Sequence, residues 1–297
     1  MFELENEYLK IRVNEDGGSL TSVYDKVNKN ELLYQLDDRS WHGQDVVIFP
    51  FIAKLKNGSY MVDGKDYYMK NHGLVRYNKV SLNKKSDNTL SLFFESNSET
   101  LKEYPYKFHL EIKYILDGHK LSIRYKITNT DDKPIYYEFG GHPALKTSGI
   151  ESVDGFEYED TKIEFDTSLE VNKYYLDETG SYIIGKNINK IPREMYVKKK
   201  MISDSKTLIF DAKEINNVIL TTNGYSYKFD INEAEILAFW CDPHFGDYIC
   251  VEPWWGIPDI INPNPELKDK PLMHSLNPKE SEEKGYTIVI SKNIWEI

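Results

Sequence analysis

The stretch that most restricts this chain is a pair of alternating segments around an Asp-Gly turn. Phe108, Leu110, Ile112, Tyr114 and Leu116 stand two residues apart, Asp117-Gly118 follows, and Leu121, Ile123, Tyr125 and Ile127 resume the same period. Strict alternation on both sides of Asp-Gly is the strongest local hairpin signal a sequence carries. A ribbon with one apolar face has to be covered by another layer. Similar units recur along the chain. Leu9, Ile11 and Val13 alternate before Asp16-Gly17-Gly18 and a run holding Leu20 and Val23. Val218 to Thr222, then Asn223-Gly224, then Tyr225, Tyr227 and Phe229 form a second hairpin unit, and Tyr286 to Ile290 gives a late strand. Helical spacing is scarce, with a turn or two around Ser98-Glu99-Thr100-Leu101-Lys102. The 22 tyrosines fit pleated, half-buried surfaces. The expectation is all-β: an antiparallel sandwich of two large stacked sheets with few short helices. No linker, composition shift or internal repeat divides the chain, so residues 1–297 read as one domain. Residues 260–283, rich in Pro, Asn and Lys, read as loops leading to a closing strand.

Three short stretches carry chemistry. The first is Val251-Glu252-Pro253-Trp254-Trp255-Gly256-Ile257-Pro258-Asp259, which follows the apolar runs 236–240 and 248–251. Proline holds the residue before it in extended backbone, so Glu252 is read as an acid fixed at a strand end. The two tryptophans beside it are flat surfaces for a sugar ring, or else core filling beside an acid that points to water. The second is Tyr136-Tyr137-Glu138-Phe139-Gly140-Gly141-His142-Pro143, again a strand, an ionisable residue and a proline. Its glycines allow a sharp turn or a close ligand. Both X-Pro bonds are expected to be trans. The third is Asn71-His72-Gly73-Leu74-Val75-Arg76, with histidine and arginine four apart around a glycine. One glutamate and two histidines at strand rims suit general acid–base work.

Charge and length narrow the field. A formal charge of −11 with a pI near 5.2 argues against nucleic acid or anionic membrane as partners. The first residues are acidic and lack the features of an export signal, and no apolar run is long enough to cross a bilayer, so cytoplasm is the expected location. Two cysteines, Cys241 and Cys250, are too few for a disulfide framework and are expected as reduced, packed thiols.

Taken in order, Phe49-Pro50 with Lys54, Asn57-Gly58-Ser59-Tyr60, His72-Gly73 with Arg76, Gly141-His142-Pro143, Val251-Glu252-Pro253 and Pro258-Asp259 make the chain resemble the aldose 1-epimerase (galactose mutarotase-like) family over most of its length. Each piece is common by itself; the order and spacing carry the resemblance. It implies a large antiparallel β-supersandwich and interconversion of the α and β anomers of a free aldose by ring opening and closure. No metal, nucleotide or redox cofactor is implied.

Carried over residue by residue, the resemblance makes Glu252 the base on the anomeric hydroxyl and His142 the acid on the ring oxygen. His72 orients the sugar by a hydrogen bond. A base must be ionised, so Glu252 is expected to have hydrogen bonds or a nearby cation; complete burial without a partner would end the base assignment. Lys54 stands where the family usually has arginine, a point donor in place of a planar fork. Arg76, one of five arginines, reads as a contact to a hydroxyl or to the phosphate of a hexose 6-phosphate. Trp254 is a candidate sugar platform. For the aspartate that family members often carry, Asp204 is the nearest candidate and Asp211 competes.

Other residues take plainer readings. His109 lies opposite the apolar face of its strand, and His119 sits at a turn. Asp242, His244 and Asp247 read as a connecting loop rather than a metal cluster. His42 and His274 have no constellation around them. The lysine-rich runs 198–200 and 279–284 read as solvated surface. Three classes remain: a mutarotase acting on a galactose- or glucose-class aldose, a carbohydrate-binding protein without turnover, and a glycosidase or lyase. The last lacks the second carboxylate that glycosidic cleavage usually needs. A monomer or homodimer is expected.

Overall fold

The computed structural model describes residues 1–152, 155–242 and 246–293. The hairpin that dominates the sequence forms as read: Phe108–Asp117 pairs with Lys120–Asn129, closing from Asp117 opposite Lys120. Burial alternates along both strands. This ribbon lies inside a nine-stranded sheet. Its order is Glu194–Tyr196, Lys162–Phe165, Asn217–Thr222, Tyr225–Asp230, Ser281–Lys292, Lys120–Asn129, Phe108–Asp117, Thr89–Glu95 and Ser81–Lys85. The second hairpin unit is also there, with Asn223 and Gly224 both at positive φ, as a two-residue turn matched to strand twist demands.

A second large sheet carries Phe139–Gly140, Tyr248–Trp255, Ile236–Trp240, Leu208–Asp211, Leu169–Leu176 and Ile183–Ile191 in that order, and Ala144–Lys146 also pairs with Tyr248–Trp255. All ladders are antiparallel. The two sheets share one core. Tyr125 of the first meets Phe139 and Trp255 of the second at 6.1 and 6.4 Å between ring centroids. Burial of these inward rows against water is the main source of stability. A four-stranded N-terminal sheet, Phe2–Glu5, Leu9–Val13, Leu20–Asp25 and Asn30–Glu31, packs into the same core. The expected antiparallel β-supersandwich is therefore the observed fold.

Among the described residues α-helix is confined to Thr100–Glu103 and Lys199–Ser205, beside three single 3-10 turns at Lys56–Gly58, Val75–Tyr77 and Leu267–Asp269. The first α-helix sits where the sequence places a turn. The second corrects the reading of residues 198–200 as solvated surface at one position: Lys198 and Lys200 are exposed, whereas Lys199, the first residue of the helix, is 4% exposed. The closing strand starts at Ser281, inside the lysine-rich run, and His274–Leu276 pairs with Ile135–Tyr137 within the stretch read as loops. No helix of the described residues is long and apolar enough to cross a membrane.

Candidate active site

Glu252 does not end a strand. It lies inside Tyr248–Trp255, opposite Ala238, with Pro253 paired to Leu237 in the same ladder. Phe139–Gly140 pairs with Trp254 and Trp255 and Ala144–Lys146 with residues 248–250, and the segment between them keeps the register but is only half bonded. Gly141 N–H donates to the Pro253 carbonyl at 3.2 Å and Val251 N–H to the Pro143 carbonyl at 3.3 Å, while the two prolines offer no donor in return, so the ladder is partly interrupted there. Both sequence prolines, Pro143 and Pro253, follow trans bonds; the cis bond of the described chain is Phe49–Pro50.

The interruption contains His142. Continuing the register from Gly140 opposite Trp254 to Ala144 opposite Cys250 brings His142 level with Glu252. His142 Nε2 stands 3.2 Å from Glu252 Oε2, with the two side chains 8% and 1% exposed. The glycines before His142 serve neither a turn nor a ligand. Neither has positive φ, and a Cβ on Gly141 would lie 2.4 Å from the Tyr286 hydroxyl. They let the strand pass close to the core.

His72 arrives from a different direction. It sits at φ 62°, followed by Gly73 at φ 79°, where a Cβ would come within 2.2 Å of the Phe49 carbonyl oxygen. Only glycine fits that crossing. The Ala53 N–H donates to His72 Nδ1 at 3.2 Å, and His72 N–H donates to the Ala53 carbonyl at 2.9 Å. An accepting Nδ1 leaves the proton of the neutral ring on Nε2, so His72 is set as a donor. Its ring stands edge-on to His142, centroids 5.4 Å apart.

These three residues line a cleft of about 250 Å³ together with Trp41, Lys54, Arg76, Trp240 and Trp254. Leu176, Thr179, Gly180, Ser181, Thr207 and Ile209 complete the lining, Ile209 in the same cross-strand row as Ala238 and Glu252. Of the two adjacent tryptophans, alternation sends them to opposite faces. Trp254 faces the cleft, whereas Trp255 stacks on Phe139 at 4.8 Å in the core and donates to the Glu233 carbonyl. Trp41 and Trp240 supply further aromatic surface around His142, at 4.9 and 5.7 Å. Neither was marked by the sequence as a site residue.

Electrostatically the floor is unusual. Burial pushes the Glu252 carboxyl well above its ordinary range, with Trp254 pulling weakly the other way. Neither carboxylate oxygen receives a hydrogen bond of good geometry from the protein. The expectation of an ionised, hydrogen-bonded Glu252 is thus not met: a strand interior offers it no free backbone donor. The carboxyl is nonetheless not isolated, since the His142 ring is beside it. Burial, with Arg76 adding to it, drives His142 down to about 3, and burial, His142 and Arg76 take His72 well below its usual value. Both shifts run the same way: burial favours the neutral form of Glu252 and of His142.

Behind the floor lie residues the sequence gave no sign of. Asp45 accepts the His142 and Leu20 backbone N–H groups at 3.3 and 3.0 Å, fixing the histidine's backbone; burial raises its carboxyl to about 6. Glu138, fully buried, accepts from Ile52 N–H and Ile257 N–H and from Lys270 Nζ, tying together two loops that edge the cleft.

Lys54 and Arg76 both reach the cleft, and among the described residues neither makes an ion pair. Arg76 lies over the Tyr77 ring at 5.1 Å. Asp204 is not at the site. It sits on the exposed face of Lys199–Ser205, paired with Lys200 at 2.8 Å. Asp211 is on a strand of the site sheet, outside the cleft, accepting from Lys213 N–H. His274 has a constellation after all, with its nitrogens 2.9 Å from Glu282 and 3.2 Å from Glu235. The two cysteines are buried free thiols, and His244 lies outside the described residues.

Comparison with known proteins bears on the family and the fold. The family model for aldose 1-epimerase matches residues 1–288. Protein LacX (chromosomal) of Lactococcus lactis subsp. lactis is 28% identical, covering 97% of this chain and 98% of that protein. A galactose mutarotase-like protein from Lactobacillus casei superposes with a TM-score of 0.90 at 24% identity, covering 98% of this chain and all of that one. A galactose mutarotase related enzyme from Lactobacillus acidophilus gives 0.90 at 23% identity, covering 98% of each chain. With the fold, the register and the family match in agreement, the chain belongs to the aldose 1-epimerase family.

Proposed function

We propose that the protein is a mutarotase, an isomerase that interconverts the anomers of an aldohexose by acid–base ring opening. The observation that carries the reading is the His142–Glu252 pair, 3.2 Å apart on the floor of an aromatic cleft. Ring opening moves one proton off the anomeric hydroxyl and another onto the ring oxygen, and needs no covalent adduct. A pair holding one proton between two groups has the right inventory for this. Sugar hydroxyls donating to Glu252 favour its charged form, and the proton then passes to His142. Glu252 so charged takes the proton from the hydroxyl on carbon 1, while His142 gives its proton to the ring oxygen. Rotation about the exposed carbonyl carbon followed by the reverse transfers closes the other anomer. His72 Nε2–H holds the ring oxygen or a neighbouring hydroxyl, and Trp254 gives the ring a flat face.

The test is polarimetry of freshly dissolved α-glucose and α-galactose. Acceleration by the wild type, lost in Glu252→Gln, supports the reading; wild-type protein that leaves relaxation at the spontaneous rate removes it.

A second reading concerns the substrate. Two unpaired cations, Lys54 and Arg76, edge a cleft whose acid is held neutral, in a chain of net charge −11. That local excess of positive charge favours an anionic sugar such as a hexose 6-phosphate. Comparing catalysed relaxation of glucose and glucose 6-phosphate separates the two.

A further inference from the structure

Cys250 is two residues before Glu252 on the same strand, so both side chains leave the sheet on one face. Its sulfur, a nitrogen of His142 and an oxygen of Glu252 all lie within 4.8 Å of one another, and all three residues are buried. Both Glu252 oxygens and His142 Nδ1 are without a hydrogen-bond partner in the protein. A buried carboxyl with both oxygens open, next to an imidazole with an open nitrogen and a thiol, is a donor set suited to a cation. We propose that Cys250, His142 and Glu252 form a three-ligand site for a zinc-like divalent metal, and that metal bound there closes the sugar site.

The donor chemistry selects the metal class. One sulfur, one imidazole nitrogen and one carboxylate oxygen suit borderline-soft ions, whereas calcium and magnesium need several oxygens. Zinc bonds of about 2.0–2.3 Å place tetrahedral ligands roughly 3.3–3.8 Å apart, a small contraction of the observed cluster. Thiolate and carboxylate together balance the charge of a divalent ion, with imidazole neutral. The thiol proton and the proton shared by Glu252 and His142 leave to solvent. Three protein ligands keep a fourth position open, and His142 and Glu252 line the cleft, so that position faces it. The closure rests on the mutarotase reading, because it follows from the metal occupying both members of the acid–base pair; the binding does not.

The probe is Co²⁺ titrated into the full chain after chelator treatment. Thiolate ligation gives a near-ultraviolet sulfur-to-cobalt charge-transfer band, which Zn²⁺ should abolish by displacement. Cys250→Ser should lose the band and weaken Zn²⁺ binding at least roughly tenfold, the least that loss of a supporting group around a metal costs. Cys241→Ser should keep the band, and its retention also guards against a folding defect caused by thiol loss in general. No charge-transfer band in the wild type, or a band that persists in Cys250→Ser, overturns the site. In the sugar assay, Zn²⁺ should stop wild-type turnover and spare Cys250→Ser. Turnover unaffected by Zn²⁺ while the cobalt band is present overturns the closure and leaves the mutarotase reading standing.

Discussion

His142 and Glu252 occupy one cross-strand level, facing each other where Pro143 and Pro253 each leave the hydrogen-bond ladder one donor short. A cross-strand pair on one face has closely spaced Cβ atoms, so the sheet itself sets the acid–base distance. Neither Glu252 oxygen nor His142 Nδ1 has a hydrogen-bond partner in the protein, which leaves the two side chains to each other.

Substitution of either member should therefore disable the same proton transfer. Glu252→Gln and His142→Gln are each expected to lower kcat for mutarotation by about 10²–10⁴-fold, the usual range for a positioned acid or base. The double variant should be little worse than the weaker single, because groups acting as a unit are not additive. Polarimetric kcat and KM for the three proteins check this. Additive losses would mean two independent roles.

The Glu252 carboxyl also leaves a mark on stability. Its folded pKa lies well above the ordinary 4.5 because of burial. Below pH 4.5 the group is protonated in both states and carries no penalty. As pH rises above 4.5 the unfolded chain releases the proton while the folded one keeps it, so stability falls with pH until the folded value is passed. Glu252→Gln removes this slope. Its melting temperature should exceed that of the wild type at pH 8, with the gap closing toward pH 4; thermal melts across that range decide it.

Sequence pattern reached the parts of this site that local rules govern, and missed those that long-range packing decides. The hairpin at Asp117-Gly118 and the trio His72, His142 and Glu252 were legible, the first from periodicity and the second from ordered motifs. Glu252 was misread as a strand end because proline normally stops a ladder, whereas here Pro253 stays in it through its carbonyl, which accepts from Gly141 N–H. Asp45, Trp41 and the wall from Thr179 to Ser181 come from segments with no chemical signature of their own. Asp204 was a motif-based guess that helix formation carried to the exposed surface. His274 lay in a stretch read as loop, and its two carboxylates are supplied by separate strands and turns.

Glu138 is a positioning residue of the cleft. It is fully buried, holds Lys270 at 2.8 Å and accepts the backbone N–H groups of Ile52 and Ile257, neighbours of the lining residues Ala53 and Pro258. Glu138→Ala leaves the buried Lys270 with only the more distant Asp259 carboxylate, at 3.7 Å, and the Ile257 carbonyl, and leaves two amides unpaired, which should cost about 3–5 kcal/mol of stability. At temperatures where the variant is folded, KM for the sugar should rise more than kcat falls, since the loops that edge the cleft lose their shared anchor. Urea unfolding and initial-rate polarimetry measure the two effects.

The His274 cluster gives the opposite sign of pH dependence to Glu252 in a different window. Hydrogen bonds to Glu235 and Glu282 outweigh burial and lift His274 to about 9 from an ordinary 6.5. Between those values the folded protein holds a proton that the unfolded chain has lost. The histidine's share of the pair's stabilisation is complete below pH 6.5 and disappears as pH rises through about 9. The share of Glu282, which against burial is held down to about 2 by His274, is complete above 4.5 and is lost as pH falls toward 2. His274→Gln should thus cost roughly 1–3 kcal/mol at pH 6, allowing for partial exposure of the three side chains, and much less at pH 10. Because Tyr137 also donates to Glu282, at 2.9 Å, a Tyr137→Phe variant should lose stability without acquiring this pH window. Parallel denaturation of the two variants at pH 6 and pH 10 separates the ion pair from the hydrogen bond, and an equal loss for His274→Gln at both values would show that the histidine is neutral in the folded protein.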